Sequence, residues 1–176
     1  MKNHPEKITP FIWFEKGAED AAKFYVDVFN GRPGTSNTSR ITSGMNHDEN
    51  SSKASGMPNG SVLTVGIELD GVPFTFLNGG PQDWAKPSGR VSFVIHCADQ
   101  AEVDYFWQKL GEEGGEPGQC GWINRDKYGI TWQVVPSAMF KYIGGSDSEA
   151  ASRAMQAMME MTKIDIGKIR KAYEGK

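Results

Sequence analysis

The chain lacks long apolar runs, a one-sided charge and more than a few cysteines. Its 176 residues include 19 Lys and Arg against 22 Asp and Glu, a formal net charge of −3. This balance provides no basic surface that would recruit nucleic acid. No apolar stretch is long enough to span a bilayer, and residues 1–4 do not begin a signal sequence, so we expect a cytoplasmic protein without membrane contact. The two cysteines, Cys97 and Cys120, form no CxxC pair, and we expect no disulfide.

One pattern occurs twice in the chain. A β-rich segment, residues 8–14, precedes apolar residues at the spacing i, i+3, i+4, i+7, which is one face of a helix, and residues 91–95 precede the same spacing. Each copy ends in a strand that a glycine opens, at Gly71 and at Gly129. The sequence therefore predicts a duplicated β-α-β unit with a shared cleft. The matching helix positions are Ala21, Phe24, Tyr25 and Val28 in the first copy and Val103, Phe106, Trp107 and Leu110 in the second.

Two segments have no counterpart in this duplication. Residues 43–60 carry hardly an apolar side chain, so we expect a mobile surface loop that covers the cleft. Residues 137–176 predict a helix over 146–161, rich in methionine, and a short last helix around Ile166, Ile169 and Tyr173. The methionines are typical of adaptable core or subunit-interface packing.

Several motifs point to a known family. The chain resembles the PhnB-like branch of the vicinal oxygen chelate (glyoxalase, bleomycin resistance and dioxygenase) superfamily, a branch often labelled 3-demethylubiquinone-9 3-methyltransferase. The resemblance implies an α+β, glyoxalase-like fold of paired βαβββ modules, 1–81 and 88–136, followed by a helical tail, 137–176. It also suggests a homodimer. The segments that carry the resemblance are 9–14 (TPFIWF), 77–81 (LNGGP), 102–110 (EVDYFWQKL), 120–136 (CGWINRDKYGITWQVVP) and 155–158 (MQAM).

The resemblance also indicates where a metal would be held. Metal-binding members of the superfamily carry a His or Gln at the start of each module's first strand and a Glu in its last strand. Here the first-strand positions are Pro10 and Ser92, and the last-strand positions are Thr75 and Gln133. Only Gln133 offers a usable oxygen, so we expect no metal and no cofactor. A displaced site that recruits His96, Glu15 or Glu68 remains the alternative.

The cleft is expected to bind a small, neutral, partly apolar ligand. Its lining follows from the matched positions, because residues two apart on a strand face the same way, and a register slip of one residue would exchange every assignment. The predicted ligand-binding residues are Ile12, Phe14, Thr75, Leu77, Asn78, Ser92, Val94, Cys120, Trp122 and Gln133.

The sequence leaves open whether the chain catalyses a reaction. The candidate catalytic residues are His96, on a strand, and Cys120, near Arg125. The alternatives are that His96 is a hydrogen-bonded edge histidine and that Cys120 is a buried thiol. His4 and His47 lie in polar segments. We favour a metal-free small-molecule-binding protein. The alternatives are an enzyme on the same ligand, of glyoxalase or lyase type, and an interaction module that uses the tail and the polar loop.

The methyltransferase label itself is disfavoured by the order of the elements. A Rossmann-type S-adenosylmethionine site needs a glycine-rich turn between a strand and a helix. The glycines of 114–118 follow a helix and lead into a strand, and those of 77–81 follow a strand but meet no helix. We therefore expect both glycine-rich segments to be tight turns.

Overall fold

The computed structural model of the chain describes residues 7–34 and 38–176, so His4 lies outside the described residues. The chain divides into two compact units, Met1–Lys86 and Pro87–Lys176. No helix in the described ranges is long and apolar enough to cross a membrane.

The first unit is a four-stranded sheet with one helix packed on it. Strand order is β1-β4-β3-β2, with β1 parallel to β4 and the other neighbours antiparallel. Helix α1 packs on β3 and β4, and its Tyr25 ring lies 5.7 Å from that of Phe76. The elements are β1 (Phe11–Phe14), α1 (Ala18–Asn30), β2 (Arg40–Asn46), α2 (Glu49–Ser55), β3 (Val62–Leu69) and β4 (Val72–Asn78), followed by a 3₁₀ turn (Asp83–Ala85).

The second unit repeats this topology. Its strand order is β5-β8-β7-β6, again with the first strand parallel to the last. Asp99 caps helix α3, as its position before the apolar pattern indicates, and a π-helical turn, Trp107–Glu112, continues the helix. The paired βαβββ modules are thereby confirmed. The elements are β5 (Phe93–Cys97), α3 (Gln100–Phe106), β6 (Glu116–Pro117), β7 (Trp122–Arg125), β8 (Trp132–Pro136), α4 (Met139–Ile143), α5 (Ser148–Met159) and α6 (Ile166–Tyr173).

Residues 43–60 contain regular secondary structure where an irregular loop was expected, and their mobility stays a prediction. Their first residues complete β2, a strand that polarity alone did not indicate, because all of its side chains are exposed. Helix α2 follows, with Asp48 and Ser51 forming a capping box. His47 is the only buried residue of the stretch 40–60, with 2% of its surface exposed. This one side chain is the main buried anchor of the segment.

The C-terminal helices pack on the second sheet. Helix α5 begins after Asp147, whose side chain accepts hydrogen bonds from two backbone N–H groups of the first turn, and α6 matches the predicted last helix. Helix α4 was not anticipated. The tail forms an apolar cluster with Val135 of β8, and the buried members of the cluster are Val135, Met139, Ala154, Ile164 and Ile169.

Candidate functional site

The positions inherited from the superfamily meet within each unit. In the first unit, the Thr75 backbone N–H donates to the Pro10 carbonyl at 3.0 Å. In the second, the Gln133 side-chain amide donates to the Ser92 hydroxyl, with Nε2 and Oγ 2.9 Å apart. Parallel pairing of the first and last strands of each module brings these residues together. In the second unit the two residues share one face of the sheet, whereas in the first unit Pro10 alternates with Ile12 on the face opposite to Thr75.

The first sheet has one face covered by α1 and an opposite face, here called the first open face. Thr75 and Leu77 lie on this open face, since the alternate residues of β4 are buried against the helix. Strand pairing sets Phe11 beside Thr75 and Trp13 beside Leu77, so these two aromatic residues share the open face.

Ile12 and Phe14 therefore lie on the helix side, opposite to the predicted face. Their partners in β4 are Phe76 and Asn78, and the Phe14 and Phe76 rings lie 5.1 Å apart. The reason is the register of β1, which is one residue away from the register that the sequence comparison assumed. The face assignment of Ile12 and Phe14 is corrected, and Phe11 and Trp13 take their place.

Asn78 is also on the helix side, where it joins the sheet to α1. Its Oδ1 accepts the N–H of Ala18 at 2.8 Å, while its Nδ2 donates to Glu19 Oε2 at 2.7 Å and to the Val62 carbonyl at 2.9 Å. Its own carbonyl accepts a hydrogen bond from His47 Nε2 at 3.1 Å. The residue is 1% exposed. Its contacts explain a structural role and do not place it at the mouth of a cleft.

The second sheet carries the predicted open-face residues together. Val94, Gln133 and Trp122 are direct neighbours across β5, β8 and β7. His96 follows Val94 on the same face by alternation and is exposed. Cys97 points the other way and is fully buried, as expected. We call this surface the second open face.

The tail covers one end of the second open face. Val135 alternates with Gln133 on β8, and it is 6% exposed because the apolar tail cluster packs on it. His96 is the register partner of Val135, and its ring lies 6.5 Å from that of Phe140 in α4. The tail therefore forms one wall of the second open face.

Cys120 lies in a tight turn before β7. It has a positive φ of 56°, followed by Gly121 with φ of 80°, and the N–H of Trp122 donates to the carbonyl of Gln119 across the turn. The Cys120 N–H donates to the carbonyl of Met161, and its thiol lies 3.8 Å from the carbonyl of Met159. These contacts join the turn to the tail, and they include no histidine or carboxylate that would activate the thiol.

A pair of tryptophans at the end of β1 was not predicted as part of the site. The Trp13 indole N–H donates to the Gly80 carbonyl at 2.9 Å, and its ring lies 4.9 Å from that of Trp84, at 63° between the ring planes. The Trp13 ring packs directly against Gly79, where any side chain would collide with it. The signal was present in the sequence as the Gly79-Gly80 pair after an apolar strand.

The inherited positions do not fit a divalent metal ion. Pro10 offers no side-chain donor, and Ser92 and Gln133 are hydrogen bonded to each other. Three or more oxygen, imidazole or carboxylate donors are needed. In residues 7–34 and 38–176, no group of three or more His, Cys, Asp or Glu side chains is placed to hold an ion. The predicted absence of metal binding in the protein stays a prediction.

The glycine-rich segments do not fit a Rossmann-type cofactor site either. The Trp13 ring occupies the space beside Gly79, and the carbonyl of Ser55 at the end of α2 packs closely against Gly80. The space at Gly115 is taken by the carbonyls of Leu110 and Arg125. The N–H groups of Gly79 and Gly80 donate to backbone carbonyls within the chain. These glycines therefore allow close packing within the chain.

The comparisons with known proteins agree with this fold. A family model described as 3-demethylubiquinone-9 3-methyltransferase matches residues 6–135. The chain belongs to this family. The match ends before the tail, so the resemblance of the tail to the PhnB-like branch stays a prediction. No curated protein matches the chain.

One solved structure supports the same fold for this family member. A "putative 3-demethylubiquinone-9 3-methyltransferase, PhnB protein" from Bacillus cereus is 28% identical, with a TM-score of 0.60. The match covers 75% of this chain and 100% of the other. A protein from Staphylococcus aureus is 20% identical over 73% of this chain and 94% of its own, with a TM-score of 0.30, which is too low to bear on the fold.

Proposed function

We propose that this PhnB-like chain is a metal-free small-molecule-binding protein that holds a neutral, partly apolar ligand on the open faces of its sheets. The observation that carries the proposal is the hydrogen bond between Gln133 and Ser92 at 2.9 Å, at the position where metal-binding relatives place ligands. Beyond this bond, the Ser92 hydroxyl can still donate and the Gln133 amide oxygen can still accept, which suits a ligand carbonyl or hydroxyl better than a cation.

The surroundings of this pair support a partly apolar ligand. Val94, with 43% of its surface exposed, and the half-buried Trp122 flank Gln133 on the second open face. In the first unit, Thr75 and Leu77 occupy the equivalent place on β4. Apolar walls with a few hydroxyl and amide groups are typical of sites for small organic ligands.

An enzyme on the same ligand is the second candidate, and His96 is the observation that favours it. This histidine is exposed and shares the second open face with Gln133, so its imidazole is available for proton transfer. No carboxylate is hydrogen bonded to it in the described ranges. A reaction abolished by His96→Gln but unaffected by Cys120→Ser would support the enzyme.

The metal-free state is tested by elemental analysis of the purified protein, before and after addition of Zn²⁺, Mn²⁺, Fe²⁺ and Ni²⁺. We expect no stoichiometric ion. One tightly held ion per chain that is lost in Gln133→Ala would overturn both the binding-protein proposal and the placement of the inherited positions.

Ligand binding is tested by native mass spectrometry of the protein purified without denaturation. We expect a co-purifying neutral compound whose occupancy falls in Gln133→Leu and in Thr75→Val. Lys23→Ala, an exposed change on α1, which covers the opposite face of the first sheet, is the matched control. Occupancy equal in all four proteins would remove the open faces as the binding site.

We also propose that the protein forms a homodimer and acts in the cytoplasm. The tail supports the dimer, because Phe140, Met155 and Met159 expose 51%, 38% and 63% of their surfaces. Neither Cys97 nor Cys120 forms a disulfide in the described residues, which is compatible with a reducing compartment.

A further inference from the structure

The aromatic residues at one corner of the first open face point to a class of ligand. We define the aromatic corner as Phe11, Trp13 and Trp84. We propose that this corner stacks a planar, uncharged ring of the ligand, an inference that rests on the proposed function and specifies its substrate class. Trp84 and Phe11 expose 72% and 60% of their surfaces, although each is large and apolar. Side chains of this kind are enriched where a protein binds a partner or ligand.

The Trp13 ring is held in place before any ligand binds. Its indole N–H donates to the Gly80 carbonyl, and its ring closes on Gly79, where a side chain would collide with it. The other side of Gly80 packs against the Ser55 carbonyl at the end of α2. A ring that is already held by a hydrogen bond and by a packed turn loses little conformational entropy when a ligand stacks on it.

Trp84 completes an angular surface with Trp13. The two rings meet edge to face, with centroids 4.9 Å apart and planes at 63°. Such an arrangement suits a further aromatic ring, because offset-stacked and edge-to-face contacts are the favoured geometries between aromatic groups. A saturated ring of the same size gains burial of apolar surface but not this electrostatic preference.

The charge of the first open face indicates that the ring is neutral. Among the strand residues of this face, the ionised groups are Arg40 and Glu68, which pair with each other at 2.9 Å. Beside Trp84, Asp83 and Lys86 pair at 3.0 Å. The other polar side chains of the face are uncharged hydroxyls and one amide, on Thr42, Ser43, Thr64, Thr75 and Asn46. A charged ligand would lose its hydration and would have to compete with these existing ion pairs for a counter-ion.

Three probes that share one bicyclic ring system test the inference: 2-naphthol, decahydro-2-naphthol and 2-naphthoate. Binding is measured by calorimetry, and its place by the NMR shifts of the Trp13 and Trp84 indole N–H groups. We expect 2-naphthol to bind about three- to tenfold more tightly than its saturated analogue, and 2-naphthoate to bind more weakly than 2-naphthol. Among the tryptophan indole N–H signals, only those of Trp13 and Trp84 should shift.

Variants separate the ring contact from general apolar burial. Trp84→Leu should weaken 2-naphthol about three- to tenfold and leave decahydro-2-naphthol nearly unchanged. Val72→Ala, an exposed apolar change at the far end of β4, is the matched control and should alter neither. Because Trp84 lies in an exposed 3₁₀ turn, its replacement should leave the fold intact.

Three results would overturn the inference: equal binding of the planar and saturated alcohols, an unchanged affinity in Trp84→Leu, or no binding of 2-naphthol. Each leaves the proposed function standing if a co-purifying neutral compound is still lost in Gln133→Leu. If the occupancy of that compound in Gln133→Leu and Thr75→Val equals its occupancy in the parent protein, the proposed function itself is overturned.

Discussion

Asn78 shows how one buried polar residue joins several elements of the first unit. Its side chain accepts the first N–H of α1, which has no other side-chain cap, and donates to Glu19 and to the Val62 carbonyl. Because Ala18 and Asn78 are both buried, the Ala18 N–H would lose its partner without access to water. The Leu77-Asn78-Gly79-Gly80 motif is therefore explained by structure, with Asn78 at its centre.

The free energy of unfolding should fall by about 3 kcal/mol in Asn78→Ala, because buried hydrogen-bonding groups are left unsatisfied. Urea unfolding followed by circular dichroism measures the change. Asn46→Ala, at an exposed position of β2, is the matched control and should stay within about 0.5 kcal/mol of the parent protein. A similar small loss in both variants would contradict the capping role of Asn78.

At the scale of elements, residues 47–60, which follow β2, are attached to the sheet mainly through His47. The imidazole is buried, its Nε2 donates to the Asn78 carbonyl, and its Nδ1 has no hydrogen-bond partner in the described ranges. The adjoining helix α2 buries none of its residues. Its docking therefore depends on one side chain and on the close contact between Ser55 and Gly80.

His47→Ala should release α2 while the sheet stays folded. We expect the rate of tryptic cleavage after Lys53, an exposed residue of α2, to rise at least about tenfold, because local opening exposes the backbone. Asn50→Ala, on the exposed side of the same helix, is the control. If the rate is unchanged in His47→Ala, or rises equally in the control, His47 does not anchor the segment.

The tail is joined to α3 by a second set of polar contacts. The Gln100 amide donates to Asp104 and to the Ile164 carbonyl, its Oε1 accepts the N–H of Ile166, and Lys163 pairs with Asp104 at 2.7 Å. Partial burial raises the pKa of the Asp104 carboxyl, but hydrogen bonds from Lys163 and Gln100 outweigh it and hold that pKa below its usual value. The docked tail therefore favours the ionised carboxylate.

The stabilising effect of Asp104 should be present at neutral pH and lost in acid. Because its pKa is lowered in the folded protein, the contribution is complete above the unfolded pKa and disappears as the pH falls through the folded value. We expect Asp104→Asn to be less stable than the parent protein near about pH 7, and the two to converge below about pH 3. A difference that is independent of pH would assign the effect to packing instead of charge.

At the scale of the whole molecule, the exposed apolar residues of the tail bear on assembly. Met155 and Met159 are four residues apart, so they lie on the same side of α5, and both are exposed. Large apolar side chains left exposed in this way are typical of an interface.

Sedimentation at micromolar concentration should give a dimer and not a 19.4 kDa monomer. Met159→Lys should shift the equilibrium toward the monomer, because a charge would be buried in the interface. Ser146→Lys adds the same charge at an exposed position before α5 and should leave the dimer intact. A monomeric parent protein would contradict the proposed assembly.

The sequence alone determined the duplicated topology, because the helical spacing of Ala21 and Tyr25 recurs at Val103 and Trp107. This spacing is a local property of each helix and does not depend on the tertiary packing. It also predicted the strand face that Val94 and Gln133 share, since alternation follows from the backbone. It did not predict β2, because an edge strand with every side chain exposed has no apolar alternation to detect.

Only the tertiary structure decided which residues of β1 face outward. A shift of one residue in the pairing of β1 with β4 exchanges Ile12 and Phe14 for Phe11 and Trp13, and no local pattern distinguishes these registers when every residue of the strand is apolar. The burial of His47 could not be predicted from the sequence either, because its hydrogen-bond acceptor, the Asn78 carbonyl, is distant in sequence. Local periodicity thus specified the elements, whereas pairing between distant segments selected the residues of the candidate site.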